Sequence, residues 1–488
     1  MNPPLQQTEA LLPPSRRAFL RLSGCGFGAL ALSALTTQEA AARQVSHPPF
    51  LPKVPLLPAR AKRIIFLHMV GGPSQFETFD HKPRLNADDG KPAPFERVAG
   101  VEQPGVNNMR LFGSQWKFKQ HGQSGLWISE LFPHLAGLAD DLCVLNGMHT
   151  DNLAHAPACL QLHTGTTNQV RPSLGSWVLY GLGTENQNLP GFITVAPPLS
   201  GDQGSAKHFG NAFLPAWTQG TMVDLAASAG SPPRIRNLQN EAISKTLQRA
   251  QLDLVQQINR EHLATLQTDQ QMEGVIQSYE LAFRMQTAAP EVFDLSKETD
   301  ATRGLYGIGD ATTDHFGRQC LLARRLAEAG VRFIELSANG WDHHGGIRKS
   351  LPKNCAEVDR PIAGLIKDLK ARGLFEDTLI VWSGEFGRTP YEQDLSNGKS
   401  PKENYGRGHN PFGFTTWLAG GGVRGGLKHG STDDYGYRAV EDKVHLHDLH
   451  ATMLHLLGLD HTRLTYRYAG RDFRLTDVYG EVVREILA

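Results

Sequence analysis

The stretch Val331-Arg-Phe-Ile-Glu-Leu-Ser-Ala-Asn-Gly-Trp-Asp-His-His344 decides the fold. Its first part, residues 331–336, is short, apolar and partly β-branched, which predicts a buried strand. A segment with helical spacing, residues 316–328, precedes it and is followed by Gly330, a residue type that commonly ends helices. A helix that leads directly into a buried strand is typical of an α/β protein, in which ligands bind where loops leave the carboxyl ends of strands.

The loop after this predicted strand carries one carboxylate and two imidazoles, those of Asp342, His343 and His344. Carboxylate oxygen and neutral imidazole nitrogen are both ligands of zinc-type sites. The sequence therefore predicts half of a metal site here, with either histidine facing it. The alternative is a turn capped by Asp342 with two solvated histidines.

Two other segments add groups of the same kind. Residues 379–383 predict a buried strand, and the loop after it contains Glu385, a metal-ligand type, and Arg388, which could hold an oxyanion bidentately. A purely structural Glu–Arg pair is the alternative. The next predicted loop, residues 406–411, contains His409, which we expect to be a metal ligand.

Substrate contacts are expected from two further stretches. Residues 63–70 predict the first buried strand, and the Gly-Gly-Pro turn after it brings Ser74, which is either a ligand contact or a turn residue. Pro157 suits the first turn of a helix, and His155 stands just ahead of it. Because a helix N-terminus favours anions, we expect His155 to be a nucleophile, a general base or an anion contact, with Asn152 nearby as a substrate contact.

The composition limits the partners and the location. The 488 residues include 49 basic and 49 acidic side chains, a balance that argues against nucleic acid or an anionic membrane as the main partner. A twin-arginine pattern at Ser15-Arg16-Arg17-Ala18-Phe19-Leu20 predicts an export signal over residues 1–42 and a periplasmic or extracellular protein. No other apolar run approaches the length of a membrane span, so we expect no transmembrane helix in the mature chain.

The mature chain is expected to be a single α/β domain. A Pro-rich linker is predicted over residues 43–61 and the domain over residues 62–488. Leu, Ile and Val at helical spacing between about 238 and 286 predict two long helices that cover the core or form an insertion, and we assign them no chemistry.

The order of these motifs resembles the alkaline phosphatase and sulfatase superfamily, most closely an exported, twin-arginine branch that carries only a domain-of-unknown-function name. The resemblance runs from about Lys62 to the end of the chain. It implies an alkaline-phosphatase-like α/β fold, with a mostly parallel central sheet and helices on both faces. The motifs that carry it are Gly-Gly-Pro-Ser-Gln…Thr-Phe-Asp80, Trp-Asp-His-His344, Gly-Glu-Phe-Gly-Arg-Thr389 and His-Asp-Leu-His-Ala-Thr…Leu-Leu-Gly458.

Several positions depart from the superfamily pattern. His155 stands where sulfatases carry a Cys or Ser nucleophile, and Cys159 stands where an Arg follows it. Phe386 replaces a histidine ligand, and a Gly-Gly turn replaces the aspartate after the first strand. The resemblance then implies one divalent ion (zinc, calcium or manganese) held by some of the following residues: Asp342, His343 or His344, Glu385 and His409.

Three functions are compatible with these features. The first is an exported, metal-dependent hydrolase of a sulfate or phosphate ester, with His155 and Arg388 as catalytic residues. The second is a non-catalytic protein of the same fold that binds a sulfated or phosphorylated glycan, which the missing Ser, Thr or Cys nucleophile favours. The third is a metal-dependent isomerase or transferase, because a fold does not fix a function.

Overall fold

A computed structural model describes residues 50–96, 109–199, 201–225, 232–236, 238–239, 242–265, 270–396, 399 and 401–488. The predicted export signal and the first part of the linker lie outside these residues. Phe50–Ala488 form one compact unit. Among the described residues, no helix combines the length and the apolar character needed to cross a bilayer.

The described part of the chain contains seventeen strands. They are β1 (Arg63–Met69), β2 (Phe118–His121), β3 (Leu126–Ser129), β4 (Leu142–His149), β5 (Phe192–Val195), β6 (Thr221–Val223), β7 (Phe333–Ala338), β8 (Thr378–Ser383), β9 (Gly387–Gln393), β10 (Gly406–Asn410), β11 (Phe414–Ala419), β12 (Leu427–His429), β13 (Ser431–Thr432), β14 (Ala439–Glu441), β15 (Val444–His445), β16 (Tyr466–Tyr468) and β17 (Arg471–Phe473).

Eleven α-helices accompany the strands within the same described ranges. They are α1 (Gln75–Thr78), α2 (Pro83–Ala87), α3 (Pro133–Ala136), α4 (His155–Thr164), α5 (Leu174–Leu182), α6 (Lys245–Thr265), α7 (Gln270–Phe293), α8 (Asp300–Leu305), α9 (Asp314–Glu328), α10 (Ile347–Ala371) and α11 (Leu446–Leu456).

Nine strands form the central sheet, in the order β12-β4-β11-β8-β1-β7-β5-β6, with β15 beside β4. β1 pairs in parallel with both β7 and β8, and β5 pairs in parallel with both β7 and β6. Only β11 runs antiparallel to its neighbours in this sheet, β4 and β8. The predicted mostly parallel sheet is therefore confirmed.

Strand β1 shows how the sheet is covered on both faces. Ile65 and Leu67 belong to the core cluster that includes α9 and α10, whereas Ile64 and Phe66 belong to the cluster that includes α5 and α11. Successive side chains of a strand point to opposite faces, so each face carries its own apolar layer. This confirms the expectation of an α/β fold with helices on both faces.

Several boundaries differ from those predicted. Strand β7, predicted over residues 331–336, begins and ends two residues later, at Phe333 and Ala338. The helix before it ends in a turn in which Gly330 has a φ of +82° and the Val331 N–H donates to Leu326 O, so the strand begins only after this turn. The predicted loops at 384–390 and 406–411 supply an antiparallel ribbon, β9 with β10. This pairing joins segments that are distant in sequence, so local composition gave no signal for it.

The ribbon is fixed to the rest of the molecule by a buried ion pair. Arg407 Nη2 donates to Glu77 Oε1 over 2.6 Å, and both side chains are fully buried. The guanidinium lies between the rings of Phe76 and Phe112, 4.7 and 4.8 Å from their centres. A second donor, Arg407 Nη1, reaches Thr389 O over 3.1 Å. The pair therefore ties helix α1 to the strand that carries His409.

We expect Glu77→Gln to lower the free energy of unfolding by about 3 to 5 kcal/mol, because it leaves the Arg407 charge buried and unpaired. Urea unfolding followed by circular dichroism measures the loss. The matched control is Asp377→Asn, which removes the exposed pair with Lys62 and should cost less than about 1 kcal/mol. Equal losses in the two variants would contradict the assignment.

Candidate metal centre at the carboxyl end of the sheet

The loop after β7 lies directly against the turn after β1. Val70 N–H donates to Ala338 O, and Trp341 N–H donates to Val70 O, over 2.8 and 3.1 Å. Gly71 has a φ of +117°, and a Cβ built on it would lie 2.5 Å from the backbone nitrogen of Asp342. The glycine turn that the sequence shows therefore gives Asp342 room at the end of the sheet.

The Asp342 carboxylate is surrounded by cationic and imidazole groups. Its Oδ1 atom accepts from Arg388 Nη2 over 2.6 Å and lies 3.0 and 3.3 Å from the Nε2 atoms of His344 and His409. Its Oδ2 atom lies 3.3 Å from His155 Nε2. Burial alone would raise the pKa of Asp342, but contacts with the three histidines and the Arg388 charge hold it well below its usual value.

Two of these histidines are anchored through their other ring nitrogen. His409 Nδ1 donates to Leu153 O over 2.7 Å, and His344 Nδ1 donates to Gln393 Oε1 over 2.6 Å. When such an imidazole is neutral, its Nε2 carries a lone pair. Burial lowers the pKa of His409 to about 4, which keeps that ring neutral. His409 Nε2 therefore presents an acceptor to Asp342, itself an acceptor, and the Nδ1 contact of His344 leaves its Nε2 facing the same carboxylate.

This arrangement fits a divalent cation. Two lone-pair nitrogens and a carboxylate repel one another unless a positive charge lies between them, and metal-bound histidines characteristically donate their second N–H to a carbonyl or carboxylate. Ligands of a tetrahedral zinc ion lie about 3.3 Å apart when each bond is about 2.0–2.1 Å. The 3.0 and 3.3 Å separations from Asp342 Oδ1 match this spacing.

His155 is held differently, by a buried carboxylate. Its Nδ1 atom donates to Glu385 Oε1 over 2.6 Å, and its Nε2 atom faces Gln203 Nε2 over 3.3 Å. The Gly71 N–H donates to both oxygens of Glu385, which is fully buried. Burial alone would lower the pKa of His155, but its contacts with Asp342 and Glu385 raise it to about 9. His155 and His409 therefore differ in protonation.

The structure brings Asp342, His344, His409 and His155 into one group of ligand-type atoms, with Glu385 behind His155. His343 does not belong to this group of ligand-type residues, although the sequence made His343 and His344 equal candidates for a metal ligand. Its ring Nε2 contacts Asn354 Oδ1 over 3.2 Å. The chain turns at this point because Arg407 N–H donates to His343 O over 2.9 Å.

Arg388 also differs from its expected role as an anion clamp. Its guanidinium is fully buried and donates to Gly72 O over 2.8 Å, to Arg407 O over 3.2 Å, to Gly71 O and to Asp342. These contacts direct the guanidinium group of Arg388 into the protein interior, so this side chain holds Asp342 in position.

The two expected substrate contacts have local partners. Ser74 Oγ donates to Glu77 beside the start of α1. Asn152 Oδ1 accepts from the Ala154 N–H over 2.9 Å, in the turn that leads into α4. Both side chains therefore shape turns in this structure.

A family model described as "Protein of unknown function (DUF1501)" matches residues 61–487. The chain belongs to this family. No curated protein matches it.

Several solved structures are similar to this DUF1501 chain at low identity. The lipoteichoic acid synthase LtaP from Listeria monocytogenes has 9% identity, with 86% of this chain and 75% of that chain covered and a TM-score of 0.35. The PsFucS1 sulfatase from Pseudoalteromonas sp. has 13% identity, coverage of 82% and 68% and a TM-score of 0.34. An alkaline phosphatase from the Antarctic bacterium TAB5 has 10% identity, coverage of 76% and 93% and a TM-score of 0.28.

Some polar residues that contact the site could not be recognised from the sequence. Gln203 and Gln393 contact site histidines, but both stand in segments without a recognisable motif. Cys159 and His163 carried a usable signal, because they follow His155 at steps of four residues on α4. That spacing places all three side chains on one face of a helix.

We expect Gly71→Ala to weaken zinc binding by roughly tenfold or more, because the new Cβ would displace Asp342 and with it the ligand geometry. Isothermal titration calorimetry with zinc measures the change. Gly309→Ala is the matched control, since Gly309 has a φ of +97° and nothing within 4 Å of the added Cβ. Both variants place an alanine at a positive φ and therefore carry similar backbone strain. Unchanged zinc affinity in Gly71→Ala would contradict a role for the close packing of Gly71 against Asp342.

Proposed function

We propose that this protein is a metal-dependent hydrolase of sulfate or phosphate esters. The observation that supports this most strongly is the convergence of His344 Nε2 and His409 Nε2 on the Asp342 carboxylate, with both Nδ1 atoms anchored by oxygen acceptors. Three protein ligands with room for one more group are typical of catalytic zinc sites. Asp342, His344 and His409 would hold the ion, whose identity as zinc, manganese or calcium belongs to the proposal.

A divalent ion bound there would polarise an ester oxygen and lower the pKa of a water molecule. The site is open enough for this, because the side chains of Asp342 and His344 are 28% and 26% exposed. Helix α4 begins at His155, so its N-terminal dipole favours an anionic group at the same place. An ester with a negatively charged sulfate or phosphate group suits both features.

His155 would handle protons or attack the ester. Glu385 accepts its Nδ1 proton, which fixes the tautomer in which Nε2 faces the site. A buried carboxylate behind an imidazole also stabilises the imidazolium, as in serine hydrolase triads. With its proton on Nε2, His155 could protonate the leaving alcohol oxygen; once deprotonated, the same Nε2 could take a proton from the attacking water. Alternatively, deprotonated Nε2 could displace the alcohol from a phosphate ester, breaking its P–O bond and forming a phospho-histidine that water then hydrolyses. His155 keeps its expected catalytic place in this proposal, whereas Arg388 becomes a positioning residue.

Export is part of the same proposal. The twin-arginine pattern at residues 15–20 predicts a folded protein carried across the inner membrane, and sulfated or phosphorylated glycans outside the cell would be compatible substrates. Cell fractionation tests this: replacing Arg16 and Arg17 with Lys should leave the chain in the cytoplasm. Undiminished recovery of this variant in the periplasm would contradict twin-arginine export.

We expect His344→Gln to lose bound metal and the hydrolysis of 4-nitrophenyl sulfate or phosphate together, because it removes a proposed ligand. Elemental analysis of protein purified without chelator gives the metal content, and initial rates give the activity. His343→Gln is the matched control and should retain both, since its ring lies outside the ligand group. Loss of metal in His343→Gln alone would overturn the ligand assignment.

We expect Glu385→Gln to keep the metal but lower kcat by about 10² to 10⁴, the range typical of general acid–base groups. The amide can no longer stabilise a charged His155, while the three ligands remain. Steady-state kinetics with elemental analysis separates the two effects. Metal and ester binding without turnover in the wild type, across a panel of sulfate and phosphate esters, would favour the non-catalytic glycan-binding protein.

A further inference from the structure

A second group of ligand-type side chains lies deeper in the core. His68 on β1, His163 on α4 and Glu335 on β7 are all buried, and one ligand atom from each lies within 4.8 Å of the others. Phe66 pairs with Glu335 across the parallel strands, and His68 is two residues beyond Phe66. Side chains two residues apart share a face, so His68 and Glu335 project toward the same helix.

His163 is oriented in the same way as the histidines of the first centre. Its Nδ1 atom donates to Cys159 O over 2.7 Å, one helical turn earlier. Its Nε2 atom faces Glu335 Oε1 over 3.1 Å. Because His155 and His163 lie two turns apart on one face of α4, this helix connects the two groups of ligand-type residues.

His68 supplies an independent observation. Its Nε2 atom is buried, 99% of the residue is shielded from solvent, and no hydrogen-bond partner is present among the described residues. The nearest carboxylate oxygen of Glu385 lies 3.7 Å away, beyond hydrogen-bond range. Buried polar atoms without partners are rare in proteins, and each suggests that an ion or water completes the structure.

The space beside His163 and Glu335 can hold a small ligand. A cavity of about 10 Å³ is lined by His163, His208 and Glu335, together with the aromatic side chains of Phe66, Phe192 and Phe333. This is about the space of one water-sized sphere. Among the lining side chains, the imidazoles of His163 and His208 and the carboxylate of Glu335 carry the atoms able to bind an occupant.

We propose that His68, His163 and Glu335 bind a second divalent cation of zinc type, separate from the centre at Asp342. Two imidazoles and one carboxylate are a recognised zinc ligand set, and side-chain shifts of about 1 to 1.5 Å would bring them to tetrahedral spacing. A protonated His163 paired with Glu335 would account for that contact alone and would leave His68 Nε2 unsatisfied. A cation satisfies all three groups.

The proposed ion is structural, and it goes beyond the proposed hydrolase function. It would join β1, β7 and α4, the three elements that lead to the turn at Gly71, to Asp342 and to His155. Because the ligands are buried, the ion would enter during folding and exchange slowly. Its absence would loosen the support of the outer centre without removing an outer ligand.

Crystals of the wild-type protein, produced in zinc-supplemented cells, test this directly by anomalous scattering at the zinc edge. We expect one peak among His68, His163 and Glu335 and another beside Asp342. A peak beside Asp342 alone would overturn the second site and leave the proposed function standing. A peak in the core alone would support the second site and count against the proposed function.

Metal content of variants provides a second test. We expect two zinc equivalents in the wild type, one in His163→Gln and one in His409→Ala. His450→Gln is the matched control for the core and should keep two, since His450 is fully buried, donates through Nε2 to Leu162 O over 2.8 Å and lies outside the ligand triple. Two equivalents in folded His163→Gln would overturn the proposal. If that variant does not fold, the anomalous peaks of the wild type decide.

Discussion

One buried guanidinium holds the end of the sheet together. Arg388 donates to the carbonyls of Gly71 and Gly72 after β1, to the carbonyl of Arg407 in β10, and to the carboxylate of Asp342 after β7. A buried charge that loses its partner costs several kcal/mol, so Asp342 is held both in place and in its ionised form. The imidazoles of His155, His344 and His409 lie around this fixed negative charge.

The charges around Arg388 do not balance without help from histidines or metal ions. Three buried or half-buried carboxylates, those of Asp342, Glu385 and Glu335, each contact a histidine, and Asp342 also pairs with the Arg388 guanidinium. Hydrogen bonds raise the pKa of His155 to about 9, whereas burial lowers that of His409 to about 4. Neighbouring groups whose pKa values are pushed apart commonly have different tasks. The geometry supports proton handling at His155 and cation binding at His409.

Much of this site follows from sequence order alone. Asp342 and Glu385 each come after a predicted parallel strand, and the carboxyl ends of parallel strands meet at one edge. Sequence order does not tell which of His343 and His344 faces the site. That depends on a hydrogen bond from the Arg407 N–H to His343 O, between residues more than sixty positions apart in the sequence. The positioning role of Arg388 could not be predicted from the sequence for a related reason. Its main acceptors are carbonyl groups that only the folded chain brings together. Long-range backbone contacts thus decide what local patterns leave open.

An aromatic side chain borders the site. The ring centre of Phe386 lies 4.9 Å from that of His155 and 4.5 Å from that of His409, so Phe386 forms an apolar wall beside the site. A phenylalanine side chain supplies no ligand atom, so this side of the site is apolar. Glu385 pairs with His155, and further ligand-type residues on β1, α4 and β7 lie deeper, at His68, His163 and Glu335. Buried polar groups need a hydrogen-bond partner, a paired charge or an ion, and His68 Nε2 has no hydrogen-bond partner among the described residues.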